Sequence, residues 1–268
     1  MEQTPNPPTT PSPVLQPSIP TQTPSKKGLL IGGIIAGALV LLGGLGWWLT
    51  VGTGDAYAKG AVTYEANLKD AFLFYKNSTD TQKQMKDIKD KFDAALASRP
   101  KEPTILGIPL PAPAATKERL EEITVPFAAM RESFVEYHAF NTFADKALGL
   151  LDEMEHKDPL VDIHENEAAF NKAASDLRAL AGPDGVTEFK NKKADVLAGI
   201  ATQIGKAEAA FDTVDGPAYQ AAEAEIKKLL LEINVDTAVD ELKKIYRGYY
   251  DDLSETYEKA AEVLGVQG

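Results

Sequence analysis

Residues 28–51 read GLLIGGIIAGALVLLGGLGWWLTV, twenty-four positions with no charge and with Thr50 as the only polar side chain. No other feature constrains the chain as strongly. At 1.5 Å per residue, a helix of that length covers roughly 36 Å, more than the ~30 Å hydrocarbon layer of a bilayer. A lone span in lipid must satisfy its own backbone hydrogen bonds, so a transmembrane α-helix is expected. Trp47 and Trp48 fall at its far end, where aromatic rings meet the headgroups. Lys26 and Lys27 stand immediately before it, whereas the first cation after it is Lys59. The positive-inside bias keeps the N-terminus in the cytoplasm and places the rest of the chain outside. Ala56-Tyr57-Ala58 has the form of a signal-cleavage site. The apolar run exceeds the about 7–15 residues of a cleaved signal, however, so an uncleaved signal anchor is expected.

Residues 1–27 contain eight prolines among Thr, Ser and Gln and lack aromatic residues. Such a segment cannot bury enough apolar surface to order itself, so a disordered cytoplasmic tail with polyproline II bias is expected. Pro8-Thr-Thr-Pro11 and Pro17-Ser-Ile-Pro20 fit Pro-x-x-Pro, but no flanking cation sets an orientation, which favours a solvated tail over a docking peptide. Within the span, the pairs Gly28/Gly32 and Gly33/Gly37 have the small-xxx-small spacing that lets two helices approach. They offer a homodimer contact through the membrane helix; the alternative is a smooth anchor. Ser25-Lys26-Lys27-Gly28 before an apolar run resembles the leader junction of type IV pilin-like proteins, although Gly33 stands where their glutamate belongs.

The part beyond residue 51 keeps all the charge except Glu2, Lys26 and Lys27, which leaves 26 basic and 39 acidic residues of the chain's 28 and 40. A body of about −13 repels polyanions, so nucleic acid is not an expected partner. Its apolar residues recur near every 3.6 positions, and strand alternation is absent. Tyr57, Ala61, Tyr64, Leu68, Phe72 and Tyr75 form one stripe, and Met85, Ile88, Phe92 and Leu96 continue it. One long helix or two collinear ones fit. Five prolines make 98–115 a loop, yet Ile105 and Leu106 are apolar, so it either packs back on the bundle or presents a binding surface.

A helix is expected over about 116–156 through Leu120, Ile123, Phe127, Met130, Phe134, Tyr137, Phe140, Ala144, Leu148, Leu151 and Met154. Pro126 should kink it or mark its true start, with Thr124 as N-cap. Further stripes run through Phe170–Leu180, Val186–Val214, Tyr219–Ile233 and Val239–Leu264, with Asp236 or Thr237 as a cap before the last. The expected fold is all-α: one N-terminal transmembrane helix, then an elongated antiparallel helical bundle over 52–268.

Chemistry-bearing motifs are sparse. Without cysteine there is no disulfide, thiolate metal site or thiol nucleophile. Glu153-x-x-His156 has the spacing of half a di-iron carboxylate site, but neither His138 nor His164 follows a Glu by three positions. No phosphate-binding glycine loop, nucleophile elbow or His-Glu-x-x-His motif occurs. No cofactor and no catalysis are expected. Tyr246, Tyr249, Tyr250 and Tyr257 lie beside Arg247 and two carboxylates. Such groups stack on a sugar or anchor a protein partner, but their helical spacing suits a core, with Tyr250 off the stripe.

The order of tail, Lys pair, Gly-rich span and Ala-rich helical body resembles single-pass, signal-anchored bacterial surface proteins. That layout implies a non-enzymatic protein that binds a protein or an envelope polymer outside the membrane. The alternative is a sensor or accessory subunit of a membrane complex.

Overall fold

The computed structural model describes the backbone of residues 26–266 apart from 106, 107 and 111, and side chains from residue 51 onward apart from those three and Ile105. The described chain is helical. Its helices are α1 (Lys26–Lys76), α2 (Met85–Ala97), α3 (Ala114–Glu155), α4 (Ile163–Ala179), α5 (Thr187–Asp212), α6 (Gly216–Ile233) and α7 (Val235–Leu264). A 3-10 turn at Asp184–Val186 precedes α5, and a two-residue ladder pairs β1 (Thr104–Ile105) with β2 (Ile108–Pro109) inside the proline-rich loop. The chain divides into two units, Met1–Gly52 and Thr53–Gly268. The side chains of the predicted span lie outside the described residues, and among those described no helix is long and apolar enough to cross a membrane.

In the second unit α3 and α7 form an antiparallel pair. Arg119 donates to the carbonyl of Val263 at 2.8 Å, Tyr137 meets Tyr246 at 3.1 Å, and Glu155 accepts from Asn234 at 2.6 Å. The pair runs through two separate cores. In one, Leu120, Phe127 and Phe134 of α3 and Leu253, Ala260 and Leu264 of α7 pack with Tyr64, Leu68 and Phe72 of α1 and Phe92 of α2. In the other, Phe143, Ala147 and Leu151 of α3 and Ala238 and Leu242 of α7 pack with α4, α5 and α6.

The partners explain a phase change along α3. Beyond Phe140 the buried positions are Phe143, Ala147, Leu151 and Met154, whereas Ala144 and Leu148 are only partly buried. The stripe predicted from spacing alone is one residue out at Ala144 and Leu148, where the helix changes partners, and back in step at Leu151 and Met154. The same change buries His138 and leaves Tyr137 half-buried.

Three local expectations are corrected. Helix α2 is not collinear with α1 but doubles back: Gln82 reaches Thr142 of α3, Asp93 pairs with Arg131 at 2.8 Å, and Arg99 pairs with Glu121. It lies antiparallel to α3, while α1 and α3 run parallel, with Tyr64 bonded to Thr124 at 3.0 Å and Tyr75 against Phe134. Thr124 is not an N-cap. Its hydroxyl bonds back to the Leu120 carbonyl, and α3 continues through Pro126. A mid-helix proline costs ~3 kcal/mol or more; burial of Leu120, Ile123, Phe127 and Met130 on both sides of it offsets that cost. The cap of α7 is Asn234, whose side chain accepts from the Thr237 amide at 3.2 Å, rather than Asp236 or Thr237.

Candidate functional site

Between the two cores α3 and α7 carry polar and aromatic side chains, forming a waist. His138 is 2% exposed, and its Nδ1 lies 2.9 Å from Oε1 of Gln82. The Thr142 hydroxyl donates to the His138 carbonyl at 2.9 Å. Burial holds the His138 imidazole below its ordinary pKa, so the ring is neutral at pH 7. The rings of Phe134 and Tyr137 enclose it at centroid distances of 4.4 and 5.3 Å.

Tyrosines fill the α7 side of this layer. The Tyr249 hydroxyl accepts from the Gly185 amide at 3.2 Å. A Cβ on Gly185 would lie 2.5 Å from that oxygen, so any side chain there would have to displace the Tyr249 hydroxyl. Tyr246 is pushed up to about 12, first by its hydrogen bond with Tyr137 and then by burial. Tyr75 on α1 is also pushed up to about 12, chiefly by burial. These phenols are neutral throughout the physiological range and both donate and accept.

Two clefts open beside the waist. One, of about 310 Å³, is lined by the hydroxyl-bearing side chains of Tyr75, Ser78, Thr81, Tyr250, Ser254 and Tyr257 together with Lys76 and Leu253. The other, of about 580 Å³, lies among Val135, Ala139, Pro183 and Tyr249, with Glu136 and Asp184 also lining it. Tyr250 is 52% exposed and stacks on Tyr246 at 5.9 Å with 19° between ring planes. Arg247 is exposed and lines neither cleft.

The other residues singled out by sequence lie apart. Glu153 and His156 are both exposed at the end of α3, and the His156 ring turns to Asp152, with Nδ1 2.9 Å from its carbonyl oxygen. That contact raises the His156 pKa. Among the described residues no three His, Cys, Asp or Glu side chains are grouped to hold a metal ion. Leu106 and the side chain of Ile105 fall outside the described residues, while Ile108 is exposed. The side chains of Lys26, Lys27, Trp47 and Trp48 also fall outside them, as does the packing around Gly28, Gly32, Gly33 and Gly37.

Sequence reasoning passed over His138, Gln82 and Tyr75 as a group. The available signal was His138 four positions after Phe134 on an otherwise apolar face. Gln82 gives no signal, because only the doubling back of α2 brings it to α3. No family model matches the chain, nor does any curated protein or solved structure.

Proposed function

We propose that this is a membrane-anchored, non-enzymatic protein whose extracytoplasmic helical body binds a partner at its waist. One observation carries the binding role: a half-exposed tyrosine, Tyr250, held flat by a second ring over a cleft lined with hydroxyls. Aromatic groups fixed in this way expose a large contact area at little entropic cost. The waist gathers neutral phenols, hydroxyls and an amide around a buried His138 whose ring is bonded to Gln82, and among the described residues no nucleophile is hydrogen-bonded to that imidazole, which suits recognition. Anchoring is supported by the uncharged run 28–51 between Lys27 and Asp55, with the N-terminus in the cytoplasm.

Fractionation of cells expressing the full chain tests the placement. The protein should pellet with membranes through a high-salt wash, and protease added outside should remove the helical body. Full-length chain in the high-speed supernatant without detergent would overturn the anchor. A helical body that external protease cannot reach would overturn its orientation.

The sensor or accessory reading draws on α3 and α7, which pass through both cores and so couple any repacking of one to the other. A second membrane protein co-purifying at fixed stoichiometry would favour it.

A further inference from the structure

We propose that the cleft formed by Tyr75, Tyr250 and Tyr257 binds a neutral carbohydrate, an inference that rests on the binding role above and names the class of ligand. Tyr250, Ser254 and Tyr257 follow one another at i, i+4 and i+7 on α7, so one helix face presents two rings with a hydroxyl between them. Tyr75 of α1 completes the wall, and Ser78 and Thr81 come from the turn that follows.

Each ring is braced from behind. Tyr250 rests on Tyr246, and Tyr257 stacks on Phe72 at 4.8 Å with 25° between planes. Tyr75 stands edge-on to Phe92, Phe134 and Tyr257 at 5.8, 5.1 and 6.0 Å. Little side-chain freedom is left to lose on binding.

Hydrogen bonding separates this cleft from the rest of the waist. The hydroxyls of Tyr64, Tyr137, Tyr246 and Tyr249 all have protein partners. Those of Tyr75, Tyr250 and Tyr257 have none among the described residues, and all three line the same cleft. Burial raises the pKa of both Tyr75 and Tyr257, which keeps them protonated as donors. Ser78 gives its proton to the Phe74 carbonyl at 2.7 Å, which leaves its oxygen to accept.

A sugar ring has the matching chemistry. Its C–H face packs on an aromatic plane, while its rim of hydroxyls both donates and accepts. Charge narrows the class further. Among the described residues no carboxylate lines the cleft, which disfavours a cationic ligand; Lys76 is the one cation in that lining, and against it the chain's net charge of −12 repels a polyanion. Size argues against a folded protein, because a standard interface needs ~800 Å² per partner whereas this cleft of about 310 Å³ suits a small ligand.

The test uses the full chain in a detergent without a sugar headgroup, titrated calorimetrically with maltohexaose, cellohexaose, chitohexaose and, as an anionic comparison, an alginate hexamer. At least one neutral hexamer should bind and alginate should not. Tyr250→Ala should weaken that binding about tenfold or more, and Tyr250→Phe by less, because it keeps the stacking plane. Tyr75→Phe and Tyr257→Phe should each weaken it several-fold while leaving the thermal midpoint in place. No binding of any neutral hexamer at ~10 mM, equal binding of alginate, or affinity unchanged in Tyr250→Ala would each overturn the inference. Such a failure is distinct from failure of the anchored-protein reading, which membrane fractionation and protease access decide separately.

Discussion

Replacing Val214 with glycine should make this protein more stable, although glycine ordinarily weakens a helical protein. Val214 follows α5 at φ 55°, in the left-handed region that a β-branched residue avoids. Its amide bonds the Phe211 carbonyl at 3.1 Å, and the next amide, of Asp215, reaches back to Ala210 at 2.8 Å. This is a Schellman closure, which favours glycine at the left-handed position. The end of α7 has the same two bonds, Gly265 to Glu262 and Val266 to Ala261, with Gly265 at φ 64°. A side chain in the left-handed region costs ~1–2 kcal/mol. Removing it releases that strain and forfeits almost no burial, since Val214 is 90% exposed. The added freedom of glycine in the unfolded chain returns about 0.5–1 kcal/mol. The net expectation for Val214→Gly is a gain of ~0.5–1 kcal/mol, or a rise in thermal midpoint of about 1–4 °C. Far-UV circular dichroism melts of the full chain in detergent would measure it. The reciprocal Gly265→Val should lower the midpoint by a comparable or larger amount. A fall on Val214→Gly of the size usual for an exposed glycine substitution would refute the strain assignment.

Phe134→Ala should cost about 3–5 kcal/mol, because the ring is fully buried against Tyr75, Phe92 and His138; a urea titration reads it, and a loss under 1 kcal/mol would mean the site collapses around the gap. Glu155→Ala should cost ~1–3 kcal/mol, since its carboxylate accepts from Asn234 Nδ2 at 2.6 Å and from the Val235 amide at 2.9 Å, tying the end of α3 to the start of α7. Equal stability of Glu155→Ala and wild type in the same titration would show that water replaces both bonds. His138 makes stability pH-dependent. Its folded pKa lies below 6.5, so the unfolded chain takes up the proton first as pH falls. Its contribution is intact above about pH 6.5 and declines below it, by at most about 1.4 kcal/mol per pH unit, until the folded ring also protonates. Urea midpoints of wild type and His138→Gln from pH 7.5 to 5 should therefore converge on acidification, and parallel curves would remove His138 as the cause.

Local periodicity marked nearly every helix, because residues three and four apart on an amphipathic helix share a face whatever that face later meets. Prolines and glycines marked the breaks for an equally local reason, which is how the turns near Asp158-Pro159, Gly182-Pro183 and Asp215-Gly216-Pro217 could be read in advance. Residue type does not show which position after α5 is left-handed: Gly216 begins α6, and Val214 takes the strained position. Tyr250 stood out in the sequence because it lies off the α7 stripe, but the cleft beside it did not, since Tyr75 is 175 positions away on another helix.

Tertiary packing decided what local pattern cannot express. A stripe shows that a face is buried, not which helix covers it, so the return of α2, the parallel run of α1 and α3, and the change of partners along α3 appear only in the fold. The waist follows from that change of partners. Where one core ends and the next begins, α3 and α7 lack a continuous apolar neighbour, and His138, Gln82 and the tyrosines fill the gap with hydrogen bonds. The all-α character and the uncharged run are properties of residues near one another in the chain. The two cores and the cleft between α1 and α7 depend on residues far apart in sequence, brought together by burial.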